Sequence, residues 1–208
     1  MIYQQLRDKV LYGEFKPGKA VTLQGIANEM QASLTPIRES VRKLIAVKAL
    51  EFHGNRRISV PAMTQSRLEE IFTARLSLEG ELVGRAASRV TDQKLAKLQA
   101  IDDQLDAAIA EGDTYNYLKY NFRFHHELYK MRQSEIILPM VETLWLQLGP
   151  SLRVVCGRYG TSGLSDQHKK TIVALQEKDF QAARDAICND ILQGQQIILE
   201  ELSVIQSN

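Results

Sequence analysis

Two cysteines, Cys156 and Cys188, are all that 208 residues contain. Their separation fits neither a zinc knuckle nor a CxxC redox pair, so both thiols are expected to be buried and inert in a reducing cytoplasm. The chain has no run of about 18 apolar residues, so no membrane span is expected. Its opening stretch, Met1 to Lys9, lacks the apolar core of a secretory signal. Absent too are the G-x-S-x-G nucleophile elbow, the Walker loop, the H-E-x-x-H zinc motif and the dinucleotide-binding glycine pattern. Those absences argue against the common hydrolase, nucleotidase and dehydrogenase chemistries. Internal repeats and low-complexity tracts are missing as well. The remainder is an ordinary globular composition, 44% hydrophobic and 25% charged, long enough for one large domain or a small one plus a medium one.

The net charge of +1 conceals an asymmetry. Residues 1–62 hold ten Lys/Arg against five acids, which leaves residues 63–208 at −4. A basic front on a mildly acidic rear suits a DNA-reading domain joined to one that must not stick to DNA.

The most informative stretch lies within that front. In Ser33-Leu-Thr-Pro-Ile-Arg-Glu-Ser-Val-Arg-Lys-Leu44, Thr35 is the expected helix cap and Pro36 fits the first turn, where no backbone N–H is needed. Ile37, Val41, Leu44 and Ile45 make one apolar stripe, while Arg38 and Arg42 project together from another face. Thr22 to Met30 is a second short amphipathic helix, with Leu23, Ile26, Ala27 and Met30 on its apolar side. The pair reads as a helix-turn-helix whose second member enters the DNA major groove. A helix over 2–13 precedes it, with Gly13 closing the helix and Lys16-Pro-Gly18 as a turn. Leu50 to Pro61 comes next as two strands around a Gly54-Asn55 turn, with Arg56 and Arg57 placed to reach phosphate or the minor groove. Three helices and a basic hairpin in that order form a winged helix-turn-helix, residues 1–63.

From residue 64 to 208 the pattern is helical, giving an all-α bundle able to bury its own core. Helices are expected over 65–89, 91–111, 114–131, 134–158, 165–177 and 179–206, with Gly149-Pro150 kinking or splitting the fourth. The clearest apolar stripe is Leu95, Leu98, Ile101, Leu105 and Ile109. Asn121 and His125 lie four apart on one helix face, His168 lies near the start of a later helix, and Asp190 in the middle of the last. Imidazole and oxygen donors drawn from several helices suit a transition metal, although a His with Asn or Asp four residues before it is more often a hydrogen-bonded pair. A metal-dependent hydrolase built on this cluster is an alternative, as is a protein-interaction module that keeps a vestigial winged domain.

Taken together, the residues resemble the GntR family of bacterial transcription regulators, FadR subgroup, with a C-terminal FCD ligand-binding domain. The front matches at Leu6-Arg7, Gly13, Pro17-Gly18, Ile26-Ala27, Thr35-Pro36-Ile37-Arg38-Glu39 and Gly54. The rear matches at Arg75, Leu78-Glu79, Phe124-His125, His168, Ile172 and Ala182-Ala183-Arg184. The resemblance implies DNA contacts from Arg7, Ser33, Thr35, Arg38, His53 and Gly54, to which the helix face adds Arg42 and the wing adds Arg56. Leu34 departs from the family, which usually has arginine there, so the operator is expected to differ. The resemblance also implies a divalent metal (Zn, Mn or Ni) held by Asn121, His125 and His168, with Asp190 where the family usually has histidine. Arg75 and Arg153 are the candidates to meet a small carboxylate effector. The expectation is a cytoplasmic, homodimeric, ligand-responsive regulator, more commonly a repressor. It would read a two-fold double-stranded operator, without catalytic activity or an organic cofactor.

Overall fold

A computed structural model of the chain describes residues 1–53, 57–159 and 166–206. These divide into two compact units, one of residues 1–63 with 143–154, the other of residues 64–142 with 155–208.

The first unit begins with α1 (Ile2–Leu11), which buries Leu6, Val10 and Leu11. Strand β1 (Val21–Thr22) leads straight into α2 (Leu23–Glu29), where the Thr22 hydroxyl accepts the Gly25 N–H and satisfies an orphan first-turn donor. After Gln31, in the left-handed region at φ 50°, the chain enters α3 (Leu34–Ala46). The expected cap at Thr35 is corrected here: Ser33 is the N-cap residue, so Thr35 and Pro36 occupy the second and third helical positions. Pro36 is still tolerated because first-turn N–H groups have no helical acceptor. Ile37, Val41 and Leu44 are buried, as is Ser40, whose hydroxyl donates back to the Pro36 carbonyl.

The wing consists of β2 (Glu51–His53) and β3 (Arg57–Ser59), antiparallel, with Phe52 opposite Ile58. Strand β1, too short to register as alternation in the sequence, pairs with the other side of β3 through Val21 and Ile58. The sheet order is therefore β1-β3-β2.

Beyond the wing the described chain is helical, in the order α4 (Gln65–Ala87), α5 (Asp92–Glu111), α6 (Thr114–Tyr129), α7 (Ile137–Tyr159), α8 (Gln167–Gln176) and α9 (Phe180–Gln206). Helices α4, α5 and α8 start on side-chain caps from Thr64, Thr91 and Asp166, and α5 stops at Gly112 in the left-handed region at φ 68°. Within the second unit α4 packs on α9 and α6, α5 on α6 and α8, and α8 on α9. The stripe expected on α5 is buried at Leu98, Ile101 and Leu105, and Asp102 is buried with it.

The expected bounds of the bundle change at α7. The helix runs unsplit through Pro150, and its stretch Thr143–Val154 groups with the first unit rather than with the bundle. The reason is local to residue 149. A Cβ at Gly149 would lie 2.0 Å from the Leu11 carbonyl oxygen, so only glycine lets α7 approach the end of α1 so closely. Arg153 completes that contact by donating from Nη1 to the Tyr12 carbonyl at 2.9 Å. Both cysteines are half-buried rather than buried, with burial raising the Cys156 thiol to about 12 and also raising that of Cys188.

Candidate functional site

In the winged unit the inward stripe of α3 fixes the outward face. Ile37, Val41 and Leu44 point into the core, so Thr35, Arg38 and Arg42 are left exposed. Among the described residues no ion pair with a carboxylate ties down Arg38 or Arg42, and both guanidinium groups are free to meet phosphate or a base edge. Ser33 is also exposed, at the start of the same helix. Lys43 lies over the Tyr3 ring at 5.4 Å, a cation–π contact that ties α3 to α1. Arg7 differs from the others: it is half-buried and contacts Asp8 at 3.3 Å. Burial pushes the Asp8 carboxyl up, with Arg7 and Gln4 pulling the other way.

His53 is exposed at the end of β2, opposite Arg57. Its Nε2 meets Ser59 Oγ at 2.7 Å, and that hydroxyl donates to Glu51 Oε1 at 3.1 Å. The expected wing-tip contacts Gly54 and Arg56 lie outside the described residues.

In the helical unit, five helices converge on a buried polar cluster. His125 (α6) is fully buried, His168 (α8) nearly so, and Asp190 (α9) keeps 26% of its side chain accessible, so it marks the open side. The His125 Nε2 lies 3.0 Å from Asp190 Oδ2 and 3.3 Å from His168 Nε2, and His168 Nε2 lies 3.9 Å from Asp190 Oδ1. Asn121 is buried one turn before His125 on the same face of α6. The Phe124 ring stacks on His168 at 4.0 Å between centroids and 12° between planes, fixing the orientation of that imidazole.

Behind each imidazole stands a second polar group. His125 Nδ1 is 2.9 Å from the Tyr129 hydroxyl, which donates to Glu79 Oε2 at 2.5 Å. Glu79, fully buried on α4, is held in turn by Arg75 through Nε at 2.5 Å and Nη2 at 3.3 Å. His168 Nδ1 is 3.4 Å from Asp102 Oδ1 on α5.

The charges result from this arrangement. Burial raises the Asp190 carboxyl, but the His125 imidazole 3.0 Å away and the His168 and Arg75 charges more than offset it, holding Asp190 at about 2. Burial lowers His125 below its ordinary value despite Asp190. For His168 burial also lowers, yet Asp102 and Asp190 outweigh it and the net shift is upward. Burial and the Glu79 carboxylate keep the Tyr129 phenol protonated far above the usual range.

The donor set fits a divalent transition metal. Ligand atoms about 2.1 Å from one tetrahedral ion sit about 3.4 Å from each other. The nitrogen and oxygen atoms of His125, His168 and Asp190 all lie within 4.8 Å of one another, with the closest contacts near that spacing. Imidazole with carboxylate suits Zn, Mn or Ni better than Mg or Ca.

Of the two arginines expected to meet an effector, Arg75 sits beside this cluster but is 3% exposed and committed to Glu79. Arg153 belongs with the first unit, where it donates to the Tyr12 carbonyl at the end of α1. Sequence reasoning gave no site role to Asp102, Glu79 or Tyr129. The signals were faint but present. Glu79 comes four residues after Arg75, Tyr129 four after His125, and Asp102 interrupts the apolar stripe four residues after Leu98.

A winged helix with an outward arginine face, in a chain that also carries a helical unit with a buried polar cluster, defines a DNA-binding transcription regulator. The model described as bacterial regulatory proteins, gntR family, matches residues 1–60, and the FCD domain model matches residues 70–192. The chain therefore belongs to the GntR family of regulators that carry an FCD domain. It is similar to the HTH-type transcriptional regulator McbR of Escherichia coli K12, at 27% identity over 203 residues, covering 96% of this chain and 92% of that protein. The solved structure of E. coli McbR/YncC matches with a TM-score of 0.90 over 96% of each chain. The E. coli K12 repressor GlaR is 23% identical over 217 residues, covering 97% of this chain and 96% of that one. A GntR regulator structure from Rhodococcus sp. RHA1, 21% identical over 96% of each chain, shares the fold at a TM-score of 0.78.

These relatives are transcription regulators, and this chain is a regulator rather than an enzyme. The hydrolase and interaction-module alternatives end with that membership. No helix among the described residues is long and apolar enough to cross a membrane.

Proposed function

We propose that the chain is a cytoplasmic, homodimeric repressor whose helical domain binds a divalent metal and, through it, a small carboxylate effector. His125, His168 and Asp190 hold the metal, with Asn121 as the fourth donor. The observation that carries this reading is the convergence of two buried imidazole Nε2 atoms, 3.3 Å apart, on one carboxylate. A metal held there would supply a positive centre for a carboxylate on the side where Asp190 is accessible.

Dimerisation places two winged domains on a two-fold operator. Effector binding shifts operator affinity if the two placements of the winged domains bind it unequally. The repressor sign is supported by the full-length similarity to GlaR, itself named a repressor.

Protein purified without chelator or nickel resin is expected to carry about one divalent metal per chain by elemental analysis. A metal-free preparation that still releases its operator on adding a carboxylate would refute the metal-mediated reading. Sedimentation at micromolar concentration tests the dimer, and a monomer bound to a full operator would refute it.

A further inference from the structure

We propose that Asp102 behind His168, and the Tyr129–Glu79 pair behind His125, are positioning residues that aim both Nε2 lone pairs at the point Asp190 faces. The proposal rests on the reading of His125, His168 and Asp190 as a cation site.

The polarity of the hydrogen bonds forces the assignment for His125. Glu79, paired with Arg75, is a carboxylate and accepts only. The Tyr129 hydroxyl therefore gives its one proton to Glu79 and must accept from His125 Nδ1. With its proton on Nδ1, neutral His125 presents a bare Nε2. His168 has a carboxylate in the corresponding place, with Asp102 Oδ1 3.4 Å from its Nδ1.

The bare His125 Nε2, the His168 Nε2 and the Asp190 carboxylate then face one another at 3.0 to 3.9 Å. Two acceptors, the His125 lone pair and the Asp190 carboxylate, repel in a buried space unless a positive charge sits among them.

The surroundings of Asp102 reinforce the point. It is 1% exposed, and neither carboxylate oxygen has a hydrogen-bond donor at proper geometry among the described residues. For stability alone an apolar residue would serve better at that place in the α5 stripe. A carboxylate there gains its use when His168 is drawn into ligation, since carboxylates behind ligating imidazoles fix the tautomer and raise ligand basicity. The residues on both sides come from different helices, Asp102 from α5, Glu79 from α4 and Tyr129 from α6. No single helix imposes the arrangement.

The test is a Co2+ titration of the full-length protein, stripped of metal, beside Asp102→Asn, Asp102→Ala and Tyr129→Phe. Affinity is read by chelator competition, and the ligand field by visible absorption. Thermal unfolding of the metal-free forms and operator binding serve as folding controls. Both Asp102→Asn and Tyr129→Phe are expected to lose about 10- to 100-fold in Co2+ affinity with shifted absorption bands. Asp102→Asn keeps an acceptor oxygen, so it should lose less than Asp102→Ala. Metal-free Asp102→Asn should unfold no earlier than wild type, because a buried charge has been removed.

Wild-type affinity and spectrum in both Asp102→Asn and Tyr129→Phe would overturn the positioning role while leaving the metal reading intact. Wild-type protein that binds no Co2+ at all would overturn both.

Discussion

Replacing Arg38 by alanine tests the reading head directly. The Arg38 side chain is exposed on α3, while the residues that seat the helix, Ile37, Val41 and Leu44, lie on the opposite face. Its removal leaves no buried group unpaired, so stability should change by no more than about 0.5 kcal/mol. Any loss of DNA affinity then reports contact rather than folding. A bidentate arginine–guanine contact is worth about 1–3 kcal/mol of base discrimination, or about 5- to 150-fold in Kd. A phosphate contact would instead weaken all duplexes alike and reduce the salt slope by about one.

The assay is fluorescence anisotropy with a labelled duplex from the region upstream of the protein's own gene, beside a scrambled duplex, over a range of salt. Arg38→Ala is expected to lose affinity for the first duplex selectively. Arg42→Ala, one turn further along the same face, gives the comparison between base and phosphate contact. If Arg38→Ala binds both duplexes as wild type does at every salt concentration, α3 is not the recognition helix.

Other residues carry predictions of their own. Gly149→Ala puts a methyl 2.0 Å from the Leu11 carbonyl oxygen and should destabilise the first unit by about 1–3 kcal/mol or more; an unchanged thermal midpoint would refute the close approach. Arg75→Ala leaves Glu79 buried without its cation and should cost about 3–5 kcal/mol in denaturant unfolding. A stable Arg75→Ala protein with selective loss of effector response would return Arg75 to ligand binding. Asp190→His recreates the three-imidazole set usual in the family and should hold zinc through dialysis against a chelator that strips the wild type. Faster metal loss from that variant would show that the carboxylate is the better ligand in this pocket.

Much of the architecture was legible because it is local. The apolar spacing of Ile37, Val41 and Leu44 fixes which side of α3 is buried, and so which side Arg38 and Arg42 occupy. The bundle helices begin and end within a few residues of where periodicity, caps and breakers put them, from Thr64 and Thr91 to Gly112. His125, His168 and Asp190, widely separated in sequence, are drawn together from three helices.

Sequence alone settled helix faces, most helix ends and the winged order of elements, because each depends on residues within one or two turns of each other. Tertiary structure alone decided that Arg153 braces α1, that β1 pairs with β3, and that Asp102, Tyr129 and Glu79 stand behind the imidazoles. Those outcomes join residues as far apart as 12 and 153, and no periodicity within a helix encodes which distant face it will meet. Packing made that choice, through a glycine that admits a carbonyl and a buried carboxylate, Glu79, that accepts the Tyr129 hydrogen bond.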